Sequence, residues 1–463
     1  MRATVGAGRR RVGAVLFALI TTAFRPSPSF AVEAEHDHKP APKTVEEAAK
    51  PLGDIYEEEP ERASIIPRVR DILRGTTPFL RDTELVAKPR SFFFSRRNDD
   101  GTRAEAWALG GAFKYKSGFW KDFFGVGATL YTSQRLVGKK RNDGSLLLQP
   151  RQRGYTVVGE AYATLRYDEH RAALYRQSFD LPYVNRQDSR MTPNTFEAYM
   201  ANGQFGDVPV LGRLEYVGGY IARMKPRDRD DFSSMSKVAG VDGSSEGMVV
   251  AGARIQPTER FTIGAVDYHV EDTINIAYGA SQLTVPLNDR ISLLFGSQFT
   301  YQTSVGDDLL TGSSFDTWVA GARVAASYRN AILTVAFSTT DDEQRIRNPF
   351  GSYPGYLSLM QRNFNRAGED AWLVGLSYHF ERIGLPDLSA FTSYTEGYDA
   401  RDGDSGESLP DHREFDFTLD YRIGKGRLDG LWIRVRLSVL DVEGRSRTSN
   451  DGRLIVNYDL PLL

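Results

Sequence analysis

Arginines set two residues apart mark the chemistry this chain could perform. Arg434 and Arg436 lie in a stretch where Leu431, Ile433, Val435, Leu437 and Val439 alternate with Trp432, Arg434, Arg436 and Ser438. On a strand, residues two apart share a face and stand about 7 Å apart. Arg422 and Arg453 fall on the flanking stretches, and Arg323 and Arg329 farther along the same wall. By registry Arg213, Glu215 and Arg223 share a face as well. Guanidinium stays charged at any working pH and offers a planar donor fork to carboxylate. A row of such groups lets an anion step from donor to donor without being held tightly, and conduction needs that balance. A plainer role is open to the same residues: keeping a wall wet while pairing with Asp416, Asp420 and Asp459.

The elements that would carry these arginines have period two. Phe415, Phe417, Leu419 and Tyr421 alternate with Asp416, Thr418, Asp420 and Arg422. Leu454, Val456 and Tyr458 alternate with Arg453, Ile455 and Asn457. The stretches around Ile291–Phe299, Trp318–Tyr328 and Trp372–Phe380 repeat the pattern. One face is apolar and the other polar, charged or glycine. A soluble sandwich would turn the apolar face inward under a second sheet. A membrane barrel turns it outward to lipid and keeps the polar face for a wet interior.

Several features favour the barrel. Many stretches are close to the roughly ten residues a tilted span requires. Aromatics sit where interfacial girdles belong: Phe92 to Phe94, Trp107, Tyr115, Tyr268, Trp318, Tyr328, Trp372 and Tyr378. A soluble core could not bury paired arginines without partners. Short links (near 117–120, 168–170, 256–259, 328–330, 381–386 and 424–429) alternate with long ones (near 134–155, 177–193, 225–246, 339–371 and 397–413). The expected fold is all-β: a single transmembrane antiparallel barrel of about 18 strands, with short periplasmic turns and long outer loops. An even count places both barrel ends on the periplasmic side.

The 463 residues include no cysteine, which excludes a disulfide framework, a Cys-ligated zinc site and a thiol nucleophile. Residues 1–31 read as a signal peptide, with Arg9, Arg10 and Arg11 before an apolar run from Val12 to Phe24. That segment carries five arginines and no acid, so its removal takes the formal charge from -2 to -7. A chain that acidic is a poor nucleic-acid binder. Residues 32–87 read as a flexible periplasmic extension, and 88–463 as the barrel. Within the extension, a helical stretch over Ala63–Leu73 is expected to break at Pro67, and His36-Asp37-His38 reads as solvated tail. Mean hydropathy is -0.40, and no later segment is apolar for the length of a helical span.

The run Asp-Leu-Pro-Tyr-Val-Asn-Arg-Gln-Asp-Ser-Arg-Met-Thr-Pro-Asn-Thr-Phe-Glu-Ala-Tyr over Asp180–Tyr199 resembles the third-loop segment of the OprD family of substrate-specific outer-membrane porins. Similar segments follow in the family's order: Glu105-Ala-Trp-Ala-Leu-Gly-Gly, Gly127-Ala-Thr-Leu-Tyr-Thr-Ser-Gln, Met224-Lys-Pro-Arg-Asp, Asn348-Pro-Phe-Gly-Ser-Tyr-Pro-Gly-Tyr and Phe364-Asn-Arg-Ala-Gly-Glu. The resemblance implies a narrow 18-stranded channel with a third loop folded inward and a basic ladder on one wall. It implies passage of small carboxylate solutes: amino acids, short peptides or aromatic acids. It places Asp180, Tyr183, Arg186, Asp188 and Arg190 at the constriction; separately, the long loop at 339–371 contains Tyr353 and Tyr356, which are expected to narrow the mouth further. Leu463 departs from the aromatic last residue often found in such barrels.

Expected partners are outer-membrane lipid and lipopolysaccharide and small carboxylates, with no nucleic acid and no cofactor. The expected assembly is a monomer or weak homotrimer. Two alternatives remain open. A barrel-embedded hydrolase would need His269 or His379 on the lipid-facing wall, and the register puts both on the polar face. The glycine pairs Gly110-Gly111 and Gly218-Gly219 sit inside strands, where interior glycine spares space, and form no phosphate loop. An adhesion barrel acting through its outer loops is the second alternative.

Overall fold

The computed structural model describes residues 65–463. The segment expected to be a signal peptide, the His36-Asp37-His38 cluster and most of the expected extension lie outside the described residues. Eighteen strands form the barrel. In chain order they are β1 (Glu84–Arg97), β2 (Arg103–Lys116), β3 (Phe124–Val137), β4 (Tyr155–Tyr167), β5 (His170–Gln177), β6 (Thr195–Val208), β7 (Gly212–Lys225), β8 (Met248–Thr258) and β9 (Phe261–Val270). The second half comprises β10 (Ile274–Asn288), β11 (Ile291–Thr303), β12 (Asp316–Tyr328), β13 (Ala331–Thr340), β14 (Asp370–His379), β15 (Leu388–Tyr398), β16 (His412–Arg422), β17 (Leu431–Val442) and β18 (Ser449–Tyr458). Each pairs antiparallel with its chain neighbours. The last returns to the first, with Arg90 opposite Asn457 and Arg97 opposite Asn450. Closure leaves no open sheet edge, which a sheet in hydrocarbon cannot tolerate.

The alternation is inverted relative to a soluble protein. In β17, Trp432, Arg434, Arg436 and Ser438 are buried, while Leu437 and Val439 are exposed. In β16, Glu414, Asp416, Thr418 and Asp420 are buried, while Phe415 and Tyr421 are exposed. The polar face looks into the barrel, and the apolar face meets lipid. Outer links are long at 138–154, 178–194, 226–247 and 341–369, and links at the opposite end shrink to two residues at 168–169, 259–260, 289–290 and 329–330.

Four local expectations are corrected. The boundary of the extension moves inward: β1 begins at Glu84, and two short helices precede it, α1 (Pro67–Leu73) and α2 (Pro78–Arg81). Pro67 opens α1 instead of breaking it, because proline lacks only an N–H that the first turn leaves unbonded anyway. The helices rest under the barrel, with Phe79 O accepting from Gly118 N and Ile65 N donating to Pro461 O.

The girdle assignment fails for three aromatics. Phe92, Phe94 and Tyr268 point inward and are buried, and only Phe93 of the first trio faces out. Gly111 is required by strand approach more than by interior space. Its φ is +123°, and a Cβ there would lie 1.9 Å from Lys88 O.

Placing a charge on the lipid face should be costly where the same change inside is not. Leu437→Arg, in mid-β17, is expected to destabilise the folded barrel by about 2–4 kcal/mol. Urea titration in lipid vesicles would measure it. A loss under half a kilocalorie would show that β17 does not face lipid.

Candidate functional site

Strands β16, β17, β18 and β1 form one continuous wall, and their register stacks the inward side chains in rows. The lowest row holds Arg422, Trp432, Asn457 and Arg90. Above it come Asp420, Arg434, Ile455 and Phe92, then Thr418, Arg436, Arg453 and Phe94. The next row holds Asp416, Ser438, Asp451 and Arg96. Rows are two residues apart, so the arginines climb roughly 20 Å along the strands. Arg436 and Arg453 are direct cross-strand partners. Like charges in that position repel unless each has its own compensation.

Compensation is supplied in two forms. The Arg434 guanidinium donates to both oxygens of Asp420, at 2.6 and 2.7 Å, and Trp432 Nε1 donates to the same carboxylate at 2.9 Å. Arg453 Nε donates to Asp451 at 2.9 Å, Arg436 Nε to Thr418 Oγ1 at 3.3 Å and Arg90 Nε to Asn457 Oδ1 at 2.7 Å. Aromatic faces do the rest. Arg422 and Arg434 lie over Trp432 at 4.5 and 4.6 Å. Arg96, Arg190 and Arg453 gather round Phe94 at 5.5, 5.2 and 5.4 Å. A ring face offsets a cation without occupying its N–H donors.

Two outer loops fold into the barrel against this wall. In the third (178–194), Asp180 accepts from Arg186 N at 3.0 Å and Nε at 2.9 Å, an internal pair that shapes the loop. Asp188 accepts from Arg90 Nη1 at 2.7 Å. Arg190 is buried. Its Nε donates to Ser145 O at 2.9 Å, and burial, then Arg453 and Arg227, lower its pKa from the usual guanidinium value. Tyr183 is packed between Tyr278 and Tyr353, and its hydroxyl donates to Thr300 at 2.9 Å.

The seventh loop (341–369) buries Tyr353 and Tyr356. At residues 360–362 it lies along that same wall, between its acids and its arginines. Met360 N donates to Asp416 at 3.0 Å, and Gln361 N and Arg362 N donate to Glu414 at 2.7 and 3.0 Å. Met360 O accepts from Arg453 at 3.0 Å and Arg96 at 3.3 Å. Asn185 ties the two loops together. Its Oδ1 accepts from Ser352 N and Oγ, both at 2.9 Å, and its Nδ2 donates to Ser352 O at 3.3 Å.

Arg422, Arg434, Arg436 and Arg453 therefore converge with Arg190 on one wall. Arg323 stands across the barrel on β12, 4.8 Å from the Tyr356 ring. Three expected positions are corrected. Arg329 is exposed on the turn after β12 with φ +58°, because its strand ends at Tyr328. Arg223 points outward, because a bulge in the β6–β7 pairing sets it opposite Glu197, 3.8 Å away, and flips its face. Arg213 is exposed at the far end of β7, below Glu215, whose carboxylate pairs with buried Arg254.

His269 also faces out, beside Asn275 and Glu271, each at 3.0 Å, while His379 is buried inside. His170 and His412 begin strands too. Arg90 and Arg96 were missed because the aromatic run Phe92 to Phe94 concealed the alternation of β1. Counting back in twos from Arg96 through Phe94 and Phe92 reaches Arg90 and would have found them.

Residues 77–462 match the family model described as outer membrane porin, OprD family. The porin-like protein GalP of Pseudomonas putida is 23% identical over 400 residues, covering 83% of this chain and 93% of that protein. Porin D of Pseudomonas aeruginosa is 22% identical over 422 residues, covering 83% and 92%. Among solved structures, Pseudomonas aeruginosa OpdK with vanillate superposes with a TM-score of 0.74 at 22% identity, covering 83% of this chain and all of that one. OccK2 (OpdF) of the same organism, in complex with glucuronate, gives 0.72 at 20%, covering 84% and all of that chain.

Asn185→Ala should loosen both inserted loops. The expected cost is about 1–3 kcal/mol, since Ser352 N–H loses its acceptor in a buried setting. Single-channel traces should become noisier with more frequent sublevels. Traces identical to the parent would mean the loops are held in place by other contacts.

Proposed function

The chain belongs to the OprD family of outer membrane porins, and from that membership we propose that it is a substrate-selective diffusion channel for small carboxylate-bearing solutes. It resides in the outer membrane. The finer reading is an arginine-lined path narrowed by the third and seventh loops. One observation carries it: on the wall of β16, β17, β18 and β1, arginines occupy successive rows, while acidic partners concentrate in the upper rows.

The chemistry follows from competition between acceptors. The interior guanidiniums are nearly buried, with Arg434 at 4%, Arg436 at 2% and Arg453 at 4% exposure. Each is held by a carboxylate, hydroxyl or carbonyl, or by an aromatic face. A solute carboxylate would exchange for one acceptor at a time, moving from the Arg436–Arg453 pair to Arg434 and then to Arg422 and Arg90. Solutes lacking an anionic group have no such exchange and would pay the full desolvation cost of a narrow passage. OpdK and OccK2 were solved with vanillate and glucuronate, both carboxylates, which supports the same solute class here.

Planar-bilayer recording with the pure protein is expected to show channels; their absence would end the porin reading. Arg434→Ala with Arg453→Ala should shift the reversal potential in a salt gradient toward cation preference, because Asp420 then loses its countercharge and Asp451 keeps only Arg96. Arg329→Ala should leave it unmoved. An unmoved potential in the double variant would reduce the ladder to wall structure. Uptake across a panel of carboxylates in a porin-deficient host would identify the solute.

A further inference from the structure

We propose that the outer rim above β2, β3 and β4 is a binding site for a phosphorylated glycolipid of the outer leaflet, of the lipopolysaccharide class. A cleft of about 370 Å³ opens there, lined by Gln134, Arg135, Lys140, Arg151, Gln152 and Arg153. Its four cations are exposed, and among the described residues none of them has an ion-pair partner. Lys139 and Arg141 flank the cleft. Arg97 and Arg103, opposite each other at the top of β1 and β2, are also exposed and without an ion pair. The interior arginines are in the reverse condition, since each is compensated within the protein.

The cleft is held open by its own backbone. Gln149 and Arg153 exchange two backbone hydrogen bonds, at 3.0 and 3.2 Å. Between them Arg151 and Gln152 take left-handed φ values of 64° and 61°. Such a turn is unfavourable for long side chains and persists only when fixed from outside. Gln152 Nε2 fixes it by donating to Glu105 O at 3.1 Å and Asn142 O at 2.9 Å, and Asp143 accepts from Arg151 N at 2.6 Å. The turn presents Arg151 and Arg153 side by side.

Position selects the ligand. Gln134 shares the outward face of β3 with Leu130 and Thr132, whereas Thr129, Tyr131 and Ser133 are buried inside. Next to the cations on this same outward surface lie the exposed apolar side chains of Trp107, Leu130, Leu136, Val137 and Val158. A belt that accepts acyl chains below a cluster that accepts phosphate matches an amphipathic, polyanionic lipid. A soluble anion would make no use of the belt.

The test compares the mature protein with Lys140→Glu/Arg151→Glu/Arg153→Glu, titrating purified lipopolysaccharide and its dephosphorylated form in detergent and weighing retained lipid by native mass spectrometry. The triple variant should bind roughly ten-fold or more weakly, as expected for removing surface cations that face an anionic lipid. Dephosphorylated lipid should bind the parent no better than intact lipid binds the variant, and conductance should be unchanged. Equal retention by parent and variant overturns the proposal. So does pyrophosphate competing as well as the lipid, which would mark a soluble-anion site, or altered solute flux with lipid retention intact, which would mark a mouth funnel. The milder Lys140→Gln/Arg151→Gln/Arg153→Gln variant gives the same comparison if the glutamate variant does not assemble.

Discussion

Inside a bilayer a peptide group has no water to bond, so every backbone donor and acceptor in a span must be matched by another strand. The rest of this structure depends on that constraint. It explains why β18 must return to β1, where eight consecutive residues from Arg90 to Arg97 are registered against β18. Once the ring is closed, the two faces of every strand meet different solvents. Apolar side chains such as Leu437 and Val439 turn to lipid, and the interior receives what lipid would reject.

The interior then becomes a problem of charge. Guanidiniums in successive rows, as Arg434 and Arg436 are, and directly opposite each other, as Arg436 and Arg453 are, cannot be buried without acceptors. The wall answers with Asp420 and Asp451, with hydroxyls and with two aromatic rings. Trp432 and Phe94 are the less expected part of this arrangement. Each sits among cations and offsets them through its face, which leaves donors to be shared. The same compensation is withheld on the outer rim, where Arg135, Lys140, Arg151 and Arg153 stand without ion pairs among the described residues. Inside, charge is balanced within the protein; on the rim, among the described residues, it is not.

The inserted loops link these two regimes. Residues 360–362 lie along one wall, giving N–H groups to Glu414 and Asp416 of β16 and a carbonyl to Arg453 of β18 and Arg96 of β1. A neutral backbone segment thus meets both signs of charge on that wall. The third loop does the same through Asp188 and Arg190, and Asn185 locks one loop to the other. On the proposed reading, passage would depend on how readily these borrowed contacts are released. That is a property of the loops, not of the strands.

Much of the fold was legible in the sequence, because strand periodicity is a local property. Alternation in 415–422 and 431–439 fixed which residues share a face, and link lengths fixed which end is outer. Arg422, Arg434, Arg436 and Arg453 were assigned to the interior on that basis, and the register agrees. What period two could not supply is phase across an irregularity. One bulge turned Arg223 outward, a strand end at Tyr328 left Arg329 on a turn, and an aromatic run hid Arg90 and Arg96. Nor could spacing reveal that Tyr183 would be packed against Thr300, or that Met360 O would rest on Arg453. Those contacts join residues about a hundred positions apart, and only closing the barrel brings them together. The sequence by itself determined the strands, their faces wherever the alternation is unbroken, and the presence of the arginines. The tertiary structure decided which arginines meet, what compensates them, and which are left exposed on the rim, because the energy of a charge depends on its neighbours in space.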